Sequence, residues 1–116
     1  YRLKNGYLID NSYNANLDGV INSIKLLKSL KGESFVVTGG LIELGKKYEE
    51  NNKILKFNLK NMNVIFIGKR NHPLIKNNQF NSLYISKNIK EAYILIDKMQ
   101  PNNILLLCKG EEHFLR

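Results

Sequence analysis

The segment at residues 9–16 carries the densest group of side chains that could bind a ligand. It reads Ile-Asp-Asn-Ser-Tyr-Asn-Ala-Asn, and six of its eight residues have polar side chains. It lies between an apolar run and a helical pattern, so free amides at the helix start could bind an anion while Asn and Ser side chains complete the hydrogen bonding. The alternative is a plain turn, because Asn and Asp tolerate turn geometry. The residue types alone leave both interpretations open.

Apolar runs and helical patterns alternate along the chain and must position that segment. Continuous apolar runs at 35–37, 64–67 and 104–108 are typical of strands buried on both faces. The patterns predict strands at 6–9, 34–38, 63–67, 83–85 and 104–108, helices at 17–30, at 47–62 and between Ser86 and Pro101, and a short helical turn at 72–76. Asn16 and Ser86 are the predicted N-caps of the first and last helices.

This order predicts one α/β domain over residues 1–116. We expect a doubly wound, mostly parallel, Rossmann-like sheet of about five to six strands with helices on both faces. Ligands of such sheets bind outside the carboxyl ends of the strands. That rule selects the loops 10–16, 38–45, 68–73 and 109–113. His72 precedes Pro73 in one of these loops, and we expect it at the surface.

The composition excludes several classes of protein. Hydrophobic residues make up 43% and charged residues 24%, which is an ordinary globular balance. A single cysteine excludes an intrachain disulfide, no metal site is predicted, and no apolar run approaches the roughly 20 residues that span a bilayer. A cytoplasmic location is the default expectation. The net charge is +8, but the lysines are scattered, so nucleic-acid binding is not predicted.

Three blocks resemble the C-terminal domain of the Mur ligases, the ATP-dependent amide ligases of peptidoglycan precursor synthesis. Residues 8–16 resemble the "IDDSYNANP" segment of the branch that adds D-alanyl-D-alanine. Residues 36–45 are similar to that branch's "VLGDMLELG", and Glu49 and Glu50 follow where a Ser-Glu-Glu run is common. Residues 107–110 resemble its "VKGS". The resemblance runs in register over nearly the whole chain.

The resemblance implies roles for individual residues. It implies contacts with the ribose and phosphates of ATP for Asn11, Ser12, Asn14 and Asn16, and a place near the nucleotide for Arg2. It implies positions around the incoming amine for Gly40, Glu43, Lys109 and Gly110. Two of these have simpler alternatives, since Glu43 could begin the following helix and Lys109 could be a solvated strand end. No residue of this chain is expected to act as a nucleophile.

The resemblance also implies partners outside these residues. Such ligases phosphorylate a carboxylate of a UDP-MurNAc-peptide with ATP and Mg²⁺, and the amine of an amino acid or dipeptide then attacks the acyl phosphate. The phosphate-binding loop and the metal ligands belong to a central domain in cis, and no G-x-x-x-x-G-K-[ST] motif occurs in these 116 residues. We therefore expect this domain to be inactive when isolated.

At several positions the chain differs from the family pattern. Asn11 and Gly40 each stand where the family has Asp, Leu17 replaces a Pro, and Glu111-Glu112 replace Ser-Arg. These differences leave two alternatives open. One is a Mur-type ligase with a different amino-acid acceptor, and the other is a nonenzymatic Rossmann-like module that binds a nucleotide or a partner.

Overall fold

A parallel sheet with helices on both faces forms the domain. The computed structural model describes residues 2–12, 16–40 and 47–107. Within these residues the strands are β1 (Arg2–Leu3), β2 (Gly6–Asp10), β3 (Ser34–Thr38), β4 (Asn63–Ile67), β5 (Ser82–Ser86) and β6 (Asn103–Leu107). The helices are α1 (Leu17–Ser29), α2 (Tyr48–Asn58) and α3 (Ile89–Met99). The predicted fold class is confirmed.

The strands are arranged in the order β1-β2-β6-β3-β4-β5. Strands β2, β6, β3, β4 and β5 are all parallel, and only β1 pairs antiparallel, with β2. Strand β1 was not predicted from the sequence, because a strand of two residues shows no period. Arg2 pairs with Tyr7 and Leu3 pairs with Gly6 in this short hairpin.

Each central strand contributes to two hydrophobic clusters, one on each face. Val36 and Leu105 lie under α1 and α2, whereas Phe35 and Leu106 lie under α3. The chain runs in one direction across the sheet through α1 and α2, and it runs back from β5 to β6 through α3. Because such crossovers are right-handed, the reversal places α3 on the opposite face. Burial on both sides explains the unbroken apolar runs of these strands.

Two helix boundaries differ from the sequence-based prediction. Ser86 is not an N-cap, because it pairs with Ile67 as the last residue of β5. The cap of α3 is Asn88, whose side chain accepts from the Glu91 amide at 2.9 Å. Helix α2 ends at Asn58 rather than near residue 62, since Asn61 adopts a left-handed φ of 65° and its amide bonds outside the helix.

The connection between β4 and β5 contains no helix and packs on the face of the sheet that α1 and α2 cover. At 72–76 it forms a turn in which the amides of Ile75 and Lys76 both donate to the carbonyl of His72. Leu74 and Ile75 are buried in the cluster beneath α1 and α2. The two apolar side chains cover the sheet where a crossover helix would otherwise do so.

Asparagines join the loops at the amino ends of the strands. Asn103 is 1% exposed, and its side chain accepts from the Tyr7 amide and donates to the carbonyl of Lys31 and the hydroxyl of Ser34. Asn102 similarly accepts from the amide of Glu33. This edge of the sheet is therefore closed by side-chain hydrogen bonds. Among the described residues, no helix combines the length and apolar character needed to cross a bilayer.

Candidate functional site

Strands β2, β6 and β3 lie side by side and are parallel, so the segments that follow them leave the same edge of the sheet. Neighbouring strands are about 4.8 Å apart. Each of the three blocks selected from the sequence contains the carboxyl end of one of these strands and the residues that come next in the chain. The topology thus brings together, at one carboxyl edge, segments that are far apart in the chain.

Asp10 holds the start of the loop that follows β2. Its carboxylate Oδ1 accepts hydrogen bonds from the Ser12 amide at 3.0 Å and from the Ser12 hydroxyl at 2.5 Å. Ser12 is 2% exposed. This Asx turn fixes the direction in which the chain leaves the sheet, and it leaves the Ser12 hydroxyl engaged within the loop.

Asn11 connects the same loop to its neighbours. Its amide donates to the Leu106 carbonyl of β6 at 3.0 Å, which extends the pairing of β2 and β6. Its side-chain Nδ2 donates to the carbonyl of Gly19 at 3.3 Å and to the hydroxyl of Ser23 at 3.2 Å. The carboxamide therefore ties the loop to α1. An aspartate at this position could not donate these two bonds.

Asn16 lies at the amino end of α1 and is exposed. Its Oδ1 accepts from the Asp18 amide at 2.8 Å, which confirms the predicted N-cap. The first turn of a helix presents backbone amides and a positive dipole end. Asn16 is thus placed where an exposed side chain and a helix start could both face an anionic ligand.

Gly40 follows β3 in a left-handed conformation, with φ +85°. Its amide donates to the hydroxyl of Thr38 at 3.0 Å. A Cβ at this position would lie 2.8 Å from Cε1 of His72 and 3.1 Å from Oδ1 of Asn52. The close approach and the positive φ both favour glycine over the aspartate of the family pattern.

His72 is partly buried at this edge, rather than a plain surface residue as the sequence suggested. Its ring packs against Phe66, with centroids 4.9 Å apart, and Nδ1 accepts from the Leu74 amide at 3.0 Å. Burial lowers the pKa of His72 below its usual value of 6.5, because desolvation disfavours the charged ring.

Comparisons with known proteins agree with this architecture. The UDP-N-acetylmuramoyl-tripeptide–D-alanyl-D-alanine ligase of Buchnera aphidicola subsp. Acyrthosiphon pisum (strain APS) is 28% identical over 109 residues, covering 91% of this chain and 24% of that relative. The crystal structure of the MurF ligase from Thermotoga maritima in complex with ADP matches with a TM-score of 0.69 at 23% identity, covering 96% of this chain and 26% of that one. No protein-family model matches the chain.

These findings support a Mur ligase C-terminal domain. The sequence match supports the likeness to MurF, and the structural match supports the fold. The chain spans about a quarter of the length of each of these two proteins. The activity of a complete Mur ligase is therefore a matter of proposal for this chain.

The remaining predicted site residues divide into two groups. Arg2 lies in β1, opposite Tyr7 and beside the end of α1, where its guanidinium is 5.9 Å from the centre of the Tyr7 ring. It is therefore not grouped with Asn16 and Gly40 in this domain, and its role near a nucleotide remains a prediction. The other predicted positions, Asn14, Glu43, Lys109 and Gly110, lie outside the described residues.

Several residues that shape this edge of the sheet were not predicted from the sequence. Asp10, two residues before Ser12, has the spacing of an Asx turn and could have been singled out. Asn52 is fully buried, and its side chain approaches Gly40. Neither Asn52 nor His72 carries a local signal for that contact, since the packing of α2 and the β4–β5 loop on the sheet creates it.

The lowered pKa of His72 predicts a specific dependence of stability on pH. The unfolded chain binds a proton at His72 near pH 6.5, whereas the folded chain binds it only at lower pH. The stability that neutral His72 contributes is therefore present above pH 6.5 and is lost as the pH falls through the folded-state pKa.

We expect the difference in unfolding free energy between the wild type and His72→Asn to shift in favour of the variant as the pH falls from 7.5 to 5. Urea unfolding of both proteins at a series of pH values measures this difference. The contributions of the other ionisable groups are the same in both proteins and cancel in the difference. If the unfolding free energies of the two proteins changed with pH in parallel, the pKa of His72 would be the same in the folded and unfolded states, and the prediction would be wrong.

Proposed function

We propose that this chain is the C-terminal domain of an ATP-dependent amide ligase that joins D-alanyl-D-alanine to a UDP-MurNAc-tripeptide. One observation carries the proposal. The segments that resemble the ligase motifs begin in three adjacent parallel strands, β2, β6 and β3, and continue beyond their carboxyl ends. A helix start with an exposed asparagine, Asn16, lies at the same edge. This is the edge at which open α/β sheets bind ligands.

The loop after β2 is proposed to contact ATP. The start of α1 presents its positive dipole end to phosphate oxygens, and Asn16 adds an exposed carboxamide. Asn11 and Ser12 act mainly by shaping the loop, because Nδ2 of Asn11 donates to α1 and the Ser12 hydroxyl donates to Asp10. The MurF ligase of Thermotoga maritima was solved with ADP, which supports nucleotide binding by such ligases. Asn14 and Arg2 remain predicted contacts.

The segment after β3 is proposed to shape the site of the incoming amine. Gly40 is held between the hydroxyl of Thr38 and the side chains of Asn52 and His72. Glu43, later in the same segment, and Lys109 with Gly110, after β6, are the further predicted contacts. The chemistry needs no protein nucleophile, because ATP converts the carboxylate into an acyl phosphate and the amine then displaces inorganic phosphate.

The domain contributes position and charge rather than covalent catalysis. Aligning two bound reactants can supply about 7–11 kcal/mol of a barrier. Bound Mg²⁺ would neutralise phosphate charge. From the resemblance to the Mur ligases, we assign the metal, the UDP-MurNAc-peptide and most of the ATP site to a central domain in cis, in the cytoplasm. The isolated C-terminal domain is proposed to be inactive.

A ligase with a different acceptor is the second candidate. Gly40 removes a carboxylate from the amine side of the site, and its conformation and neighbours leave no room for one. A carboxylate there could bind the ammonium group of an acceptor, so its loss could change which amine is accepted. A nonenzymatic nucleotide-binding module is the remaining alternative.

Phosphate release by the complete protein tests the proposal. With ATP, Mg²⁺ and UDP-MurNAc-tripeptide, we expect release to depend on D-alanyl-D-alanine within a panel of amino acids and dipeptides. Dependence on another member of the panel would favour the second candidate. Release with none of them would exclude a ligase.

Replacing Asn16 with Ala tests the ATP contact. Loss of the N-cap should cost about 1 kcal/mol of stability, and loss of one hydrogen bond to the nucleotide should raise the KM for ATP by roughly fivefold. The matched control is Asn88→Ala, which removes the N-cap of α3. Strand β5, which precedes that cap, is four strands from β2, or about 19 Å.

We expect similar losses of stability in urea for the two variants, but a raised KM for ATP only for Asn16→Ala. An equal change in KM for both would mean that Asn16 acts through stability alone.

A further inference from the structure

The imidazole of His72 is held in one orientation. Its Nδ1 accepts from the Leu74 amide, so in the neutral ring the proton is on Nε2. One side of the ring packs against Phe66, at an interplanar angle of 49°. The turn that carries the ring is anchored to α2, because Lys56 Nζ donates to the carbonyls of Pro73 and Lys76 at 3.1 and 2.7 Å.

The edge of this ring that bears Cε1 and Nε2 faces Gly40. A Cβ on Gly40 would lie 2.8 Å from Cε1 and 3.2 Å from Nε2. These distances place the ring against the backbone of Gly40 with no room for a side chain between them. Asn52, which is fully buried, closes the same space from α2. The first residues after β3 are thus wedged between the sheet, α2 and His72.

We propose that His72 is a positioning residue for the incoming amine, acting through the backbone of Gly40. The inference rests on the proposed function, in which Gly40 is one of the residues that shape the amine site. His72 does not touch the reactants in this account. It fixes the backbone at Gly40, and an error of about 1 Å in such a position can cost on the order of 100-fold in rate.

The variant His72→Asn separates the contact of His72 with Gly40 from its hydrogen bond within the local turn. An Asn side chain at 72 can accept from the Leu74 amide as Nδ1 does, just as Asn78 accepts from the Phe80 amide at 3.0 Å in the same loop. His72→Asn therefore keeps the turn and removes the ring edge that contacts Gly40. Asn78→Ala is the control, since it breaks a turn bond of the same kind in the same loop, together with the bond from Asn78 Nδ2 to the Ile75 carbonyl at 2.7 Å.

The test uses steady-state kinetics of the complete protein with ATP, Mg²⁺, UDP-MurNAc-tripeptide and the acceptor that supports phosphate release. We expect His72→Asn to raise the KM for the acceptor about tenfold or more, with the KM for ATP changed less than twofold. Asn78→Ala should leave both KM values within twofold of the wild type. An unchanged acceptor KM in His72→Asn, or an equal rise in both KM values, would overturn the inference.

A second measurement tests the contact itself without relying on activity. In ¹⁵N NMR spectra of the 116-residue chain, His72→Asn should shift the Gly40 amide resonance, and Asn78→Ala should not. An unmoved Gly40 resonance would overturn the inference. If the wild type releases no phosphate with any acceptor, the proposed function fails together with the inference, even where the Gly40 shift is seen. If the wild type is active and His72→Asn behaves like it, the inference fails alone.

Discussion

Burial of the three central parallel strands, β3, β4 and β6, on both faces is the constraint on which the rest of this domain depends. The interiors of β3 and β6 carry only apolar side chains, on both faces of the sheet, so polar groups occur only at the ends of these strands. Parallel pairing sends all their carboxyl ends to one edge. Polar and conformationally unusual residues are consequently concentrated in the loops, and the loops after β2, β6 and β3 become neighbours. The amino edge, by contrast, is closed by hydrogen bonds of Asn102 and Asn103.

The loops are shaped by one repeated hydrogen bond, in which a side chain accepts from the backbone amide two residues later. The acceptors are Asp10, Asn16, Thr38, His72 and Asn78, with distances of 2.8–3.0 Å. Such bonds fix the direction of the backbone without a second strand or helix. Two of the five acceptors, Asp10 and Thr38, are the last residues of β2 and β3. The bonds also mean that several of these side chains shape the site rather than contact a ligand directly.

Much of the fold could be predicted from the sequence, because its signals are local. The spacing of Val20, Ile24 and Leu27 identifies α1, and Asn16 identifies its start. Strand β1 was missed because two residues show no period. The choice between Ser86 and Asn88 as the cap of α3 depends on how far β5 pairs with β4, and that is a tertiary property.

The candidate site was less predictable than the fold. Asn11 and Asn16 were correctly placed at the carboxyl edge, because they directly follow a strand or begin a helix. The contact between Gly40 and His72 joins loops that follow different strands, so no local pattern reveals it. The same holds for Arg2, whose position depends on the hairpin of β1 and β2. Glu43, Asn14, Lys109 and Gly110 remain predictions from the resemblance alone.

The central claim is that the loop at the start of α1 contacts a nucleotide bound by the rest of the protein. A crystal structure of the complete protein with ADP tests this most directly. The account predicts the ribose or phosphates within hydrogen-bonding distance of Asn16 and the first amides of α1. A nucleotide bound at the amino edge near Asn103, or one that nowhere approaches the loop after β2, would contradict it.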